Sequence, residues 1–208
     1  MKNDETDLAE TDYTAGINNL LHSLFSQCSV TLNGTQITQS TEHHSYRAYL
    51  ETLLTHATDA AEYHLQMANW ELDVGDFKGG DSSKHAELSN TGFLARWKQL
   101  KKSQEVHMYG RLHADICNVF QLLINGVKIQ VKSTKARPAF YSLSSKEDAK
   151  VYFKIPEALF YVKRIKPSAF VMTAHNEAII AGYPLRYNIT RIELKTYFFR
   201  RFTFTLHG

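Results

Sequence analysis

Ten histidines, two cysteines and a Glu-x-Lys pair are the residues of this 208-residue chain whose types invite chemistry. His43-His44, His56 and His64 fall close together, and imidazole nitrogen is a common zinc ligand. Yet the chain has no paired cysteines and no His-Glu-x-x-His spacing to accompany them. They read as packing or surface histidines, as do His113 and His175. His113 and Cys117 have the types of a base and a thiol nucleophile. On an extended strand, however, an i, i+4 spacing sets two side chains more than about 10 Å apart, too far to hydrogen-bond. Glu193 and Lys195 form the pair that metal-dependent nucleases use to hold Mg²⁺ and position water. A further carboxylate, Asp115 or Asp148, would have to complete that site. Alternating charges also mark the solvated face of a strand, and that reading is preferred. The chain has no glycine-rich phosphate loop. No catalytic, cofactor-binding or metal-ligating residue is assigned, no cofactor is expected, and the chain does not read as an enzyme.

The elements that would position these residues are more legible than any site. Cys28, Val30 and Leu32 alternate with Ser29 and Thr31, the period of a half-buried strand. Asn33-Gly34 supplies the two residues tolerant of positive φ that a type I′ hairpin turn needs, which sets Val30 opposite Ile37. Ser45 is placed to cap a helix whose apolar face is Tyr46, Tyr49, Leu50, Leu53 and Leu54. A second hairpin is expected over residues 120–132, turning at Asn125-Gly126, with Phe120, Leu122 and Ile124 facing Val127, Ile129 and Val131. Helices are expected over residues 59–72 and 167–180, the latter stopped by Gly182, and residues 92–102 read as either a short helix or an irregular lead-in to the next strand. Residues 73–90 read as a polar loop, and 136–148 as another containing Pro138. Strands are expected at 150–155, 159–165, 183–199 and 201–206. Short strands joined by hairpins, with helices in the connections, predict a mainly β antiparallel sandwich.

Composition bounds the rest. A net charge of +3 excludes a wholesale electrostatic grip on nucleic acid, although Lys98, Lys101 and Lys102, Lys163, Arg164 and Lys166, and Arg200-Arg201 form local basic clusters. Two cysteines are too few for a disulfide framework and suit a reducing compartment. No apolar run approaches the roughly 20 residues that span a bilayer, and no secretory signal opens the chain. Residues 1–16, acidic and polar, read as a flexible tail ahead of one domain over 17–208.

Several blocks in one order carry a family resemblance: LHSLFSQCSVTLNG and SYRAYLETLL, then YGRLHADI, LINGVKI, VKRIKPS, Ala174-His175 and YPLR. Over roughly residues 18–197 the chain resembles the major capsid proteins of Polinton (Maverick) elements and adintoviruses, of the double jelly-roll lineage. The resemblance implies a jelly-roll sandwich and a structural role as capsid protein or capsid-derived fragment. Its partners would be copies of itself, as homotrimers or capsomers, with other capsid proteins and weak contact with genome DNA. Its place would be the virion, or host cytoplasm or nucleus, without secretion and without a membrane. Family members carry strands ahead of the segment matching Asn18 and a second jelly roll beyond the segment matching this chain. The jelly roll is therefore expected to be incomplete, with the helix at residues 46–54, the loop at 73–90 and the helix at 167–180 serving assembly. The alternatives are the Glu193/Lys195 nuclease and a lone jelly-roll binding module.

Overall fold

The computed structural model describes residues 6–10, 12–38, 42–74, 90–144 and 151–195. In chain order the elements are β1 (Thr14–Gly16), α1 (Leu20–Ser23), β2 (Phe25–Leu32), β3 (Thr35–Gln36), α2 (His44–Thr55), α3 (Thr58–Glu62), α4 (Thr91–Leu100), β4 (Ile129–Lys135), α5 (Pro138–Tyr141), β5 (Ser142–Ser144) and α6 (Ala169–Ile180). Short 3₁₀ turns follow α3, follow α4, and cover Asp115–Asn118.

The first hairpin forms as the residues dictate. Asn33 and Gly34 take φ of 48° and 83°, Leu32 pairs with Thr35, and Ile37 N donates to Val30 O at 3.0 Å. Cys28 and Val30 are buried on the expected face. Antiparallel β4 lies on the other side of β2, with Val131 opposite Val30, so the sheet order is β3-β2-β4. Among the described residues a second sheet consists of β1 and β5, paired from Thr14–Ser144 to Gly16–Ser142. Part of the segment read as an acidic tail is thus in place: Tyr13 and Ala15 are buried, packed with Phe93 of α4.

Two clusters make the core. Leu20, Leu24, Leu100, Ala136 and Tyr141 gather α1, the end of α4 and the β4–α5 junction. Tyr13, Ala15 and Phe93 join β1 to α4. Helix α4 starts where Asn90 Oδ1 accepts from Phe93 N at 2.9 Å, the capping bond that an Asn supplies. Its Arg96 is fully buried and ties three segments together. Nε donates to Gly16 O at 2.8 Å, Nη1 to Glu71 O, and Nη2 to Asp73 Oδ1 at 2.5 Å. Each of its three nitrogens thus meets an oxygen, the pairing that a buried charge requires.

The expected mainly β jelly-roll sandwich is overturned. Helix takes 36% of the described residues and strand 15%, in sheets of two and three strands. The physical reason is pairing. Residues 120–124, 152–155, 159–165 and 183–195 have strand-like composition but form no strand, because a strand exists only where an edge receives its hydrogen bonds. The second hairpin fails in the same way. Its turn forms, with Gly126 at φ 87°, but β4 pairs with β2, and residues 120–124 join no strand among the described residues, Ile124 N and Leu122 O bonding the Tyr187 hydroxyl instead. The predicted helix over residues 59–72 is instead α3 plus a 3₁₀ turn (His64–Ala68), ended by Asn69 at φ 59°. Of the two readings of residues 92–102, the helix is the one that forms, as α4 with its 3₁₀ extension. The predicted loop at 136–148 holds α5, opened by Pro138, and β5. Asp148, Arg200-Arg201, the strand at 201–206 and residues 75–89 of the polar loop lie outside the described residues.

Candidate functional site

Helix α2 forms where periodicity placed it, but it is turned over. Ser45 is inside the helix rather than at its cap, and His43 precedes the first turn without a side-chain capping bond. The buried residues are His44, Ser45, Ala48 and Thr52, whereas Tyr46, Leu50, Leu53 and Leu54 are exposed. The cause lies on its inner side. Arg47 and Glu51, one helical turn apart, are bonded to each other at 2.7 Å, and Arg47 Nη2 donates to Asp115 Oδ1 at 2.6 Å. His113 Nδ1 bonds the other Glu51 oxygen at 2.6 Å. An ionised carboxylate can only accept, so Nδ1 carries the proton in this contact. These charges satisfy one another in a largely shielded space, and that arrangement holds the polar side of α2 inward.

Two further imidazoles close the network. The His22 ring meets the His113 ring edge-on at 4.6 Å between centroids and that of His44 at 5.9 Å. Burial, then the neighbouring His113 and His44, push His22 down to about 3, against the pull of Glu51. Burial first, then His113 and Arg47, push His44 down to about 4. Burial alone would raise Glu51, but the hydrogen bonds from His113 and Arg47 outweigh it and hold the carboxyl at about 2. Both imidazoles are thus neutral and Glu51 ionised at neutral pH. A small cavity of about 40 Å³ lies alongside, lined by Cys28, His43, His44, Arg47, His113 and Asp115 among others.

This network has little reactive capacity. Burial raises the thiols of both Cys28 and Cys117, so neither is a ready thiolate. Cys117 sits in a 3₁₀ turn, so the strand spacing assumed for His113 and Cys117 does not apply, and the His113 Nδ1 proton is engaged by Glu51. No group of three or more His, Cys, Asp or Glu among the described residues is arranged to hold a metal ion. Of the four clustered histidines, His44 joins the network, while His56 and His64 are exposed with rings 5.4 Å apart. His175 is exposed on α6.

The Glu193–Lys195 pair lies on irregular chain rather than a strand, its charges 3.8 Å apart and both side chains substantially exposed. Asp115 does come near, accepting weakly from Ile192 N at 3.4 Å, but the same oxygen is held by Arg47. Lys101 and Lys102 pair with Glu10, and Lys101 also sits over the Trp97 ring. Lys163, Arg164 and Lys166 are exposed. Sequence reasoning missed His22, Arg47 and Glu51. The available signal was the Arg47/Glu51 pair at i, i+4, which looks like an ordinary solvated helix pair.

The second distinctive feature is an uncovered apolar surface. Leu159, Phe160, Tyr161, Val162 and Ile165 are exposed on chain without regular structure. Helix α6 follows, capped by Ser168 and ended at Gly182, where φ is 79°. Its sequence, AFVMTAHNEAII, is apolar apart from Thr173, His175, Asn176 and Glu177, and none of its residues is buried. Phe170 is 83% and Ile180 85% exposed. No protein-family model, curated protein or solved structure matches this chain.

Proposed function

We propose that the chain is a structural subunit, a capsid protein or capsid-derived fragment of a virus-like DNA element, that works by burying apolar surface against copies of itself. The observation that carries this reading is α6: eight of its twelve residues are apolar, Phe170, Val171, Met172, Ile179 and Ile180 among them, and none is buried among the described residues, although apolar side chains of this size ordinarily pack against another surface. Residues 159–165 extend the uncovered surface along the chain. Contiguous apolar patches of this kind mark interaction surfaces. The sequence blocks that resemble Polinton-type capsid proteins supply the class of assembly, and the exposed Lys163, Arg164 and Lys166 could meet genome phosphates at its inner side. A subunit of this kind needs no reacting group.

Light scattering coupled to size exclusion, over a range of concentrations, tests the proposal. A discrete trimer or larger species is expected, and Phe170→Glu/Ile180→Glu should lower its mass without unfolding the chain. A monomer at every concentration would sink the reading.

A further inference from the structure

Among the described residues, strand β4 is bonded along one edge only. Its register with β2 sets Ile129 opposite Leu32, Val131 opposite Val30 and Ser133 opposite Cys28. Just beyond, Asn33 N donates to Lys128 O at 2.9 Å. Antiparallel ladders alternate, so Lys128, Gln130, Lys132 and Thr134 turn their backbone groups towards β2, and Ile129, Val131 and Ser133 turn theirs away. The neighbouring bonds agree: Ser26 Oγ reaches Thr134 O on the β2 side at 3.3 Å, and Val30 O is taken by Ile37 on the far side of β2. Among the described residues no strand lies beyond β4, and it is exposed at every position but Val131. Such an edge is a template for another strand.

We infer that the free edge of β4 pairs antiparallel with β4 of a second copy, about a two-fold axis centred on Val131. The backbone groups that point outward allow only certain registers, and charge chooses among the three nearest. Centring on Val131 sets Val131 against itself, Ile129 against Ser133, Gln130 against Lys132 and Lys128 against Thr134. Every lysine in this span then faces an uncharged residue. Moving the pairing one step either way brings Lys128 against Lys132, or Lys132 against its own copy, and like charges directly opposite destabilise a ladder. In the favoured register Ile129 and Val131 lie on the face that carries Val30 and Cys28, so the apolar side continues across the axis. The opposite face continues the polar hollow lined by Gln27, Ser29, Thr31, Gln36, Gln130 and Lys132. Two three-stranded sheets become one of six strands. The contact is isologous, as a two-fold requires. It rests on the reading of the chain as a self-associating subunit but uses a hydrogen-bonding edge instead of the α6 surface.

Gln130 tests the register, because its exposed side chain faces Lys132 of the second copy twice in the dimer. Sedimentation equilibrium of the full chain should show Gln130→Glu tightening the pairwise association by about fivefold and Gln130→Lys loosening it by a similar factor, with unchanged circular dichroism. Repeating the pair in the Phe170→Glu/Ile180→Glu background separates the two surfaces, since a charge-sensitive dimer should persist there. An assembly indifferent to both Gln130 changes overturns the β4 pairing and leaves the α6 reading standing. A chain monomeric in all forms overturns both.

Discussion

At the scale of single residues, the network of His22, His44, His113, Glu51, Arg47 and Asp115 makes stability depend on acid. His22 and His44 have pKa values depressed to about 3 and about 4 from an ordinary 6.5. The unfolded chain therefore takes up protons that the folded chain refuses, and stability present above pH 6.5 is lost as pH falls. Glu51, held at about 2 against an ordinary 4.5, acts in the same direction but only below pH 4.5. Between pH 6.5 and 5 each histidine should cost about 2 kcal/mol. Urea midpoints measured across that window should fall steadily. His22→Gln should flatten the fall, whatever it does to stability at neutral pH, and an unchanged slope would show that His22 is not the group being titrated.

At the scale of elements, α2 shows how a correct periodicity can carry the wrong orientation. Tyr46, Leu50, Leu53 and Leu54 of the expected apolar face point outward, Tyr49 is half-buried against Trp70, and the residue packed most tightly is Ala48, at 0% exposure. Leu54→Glu should therefore leave the urea midpoint of the monomer within about 0.5 kcal/mol of the parent, while Ala48→Leu should cost about 1–3 kcal/mol by overpacking. The opposite ranking would restore the orientation read from the sequence. Hairpins teach the same lesson. Asn33-Gly34 and Asn125-Gly126 both turn the chain, but only the first is followed by its sequence-adjacent ladder. The second turn delivers β4 to β2 across about a hundred residues of chain, as in the pairing of Val30 with Val131. Asp115 is drawn to Arg47 just upstream, and Phe120 and Leu122 after it are left exposed.

At the scale of the whole molecule, burial is uneven. The core gathers the chain from Leu8 to Val151, with Phe153 and Ile155 packed against it, while α6 contributes nothing to it. Hydrogen exchange should read this division directly. In dilute conditions the amides of α4, which is capped and carries the buried Arg96, should be protected and those of α6 should exchange rapidly. At concentrations where larger species form, α6 should gain protection and α4 should change little. If α6 were equally slow in both conditions, it would be covered within its own chain, and the proposed subunit interface would have to lie elsewhere.

What the sequence determined by itself is local. The Asn33-Gly34 turn, the buried face of β2, the position of α2 and the Gly182 end of α6 all follow from interactions within a few residues, where φ preference, capping and periodicity act directly. The tertiary structure decided which edge each strand meets and which way each helix faces. Alternation marks a strand with an apolar side but does not name its partner, so an expected sandwich became two small sheets amid helices. The site followed the same rule. His22, His113 and Asp115 are remote from Arg47 and Glu51 in sequence, and only the packing of α1 and of the chain around Asp115–Asn118 against α2 brings their charges together. A buried charge must find its counter-charge wherever the fold delivers one, and that requirement turned α2 over.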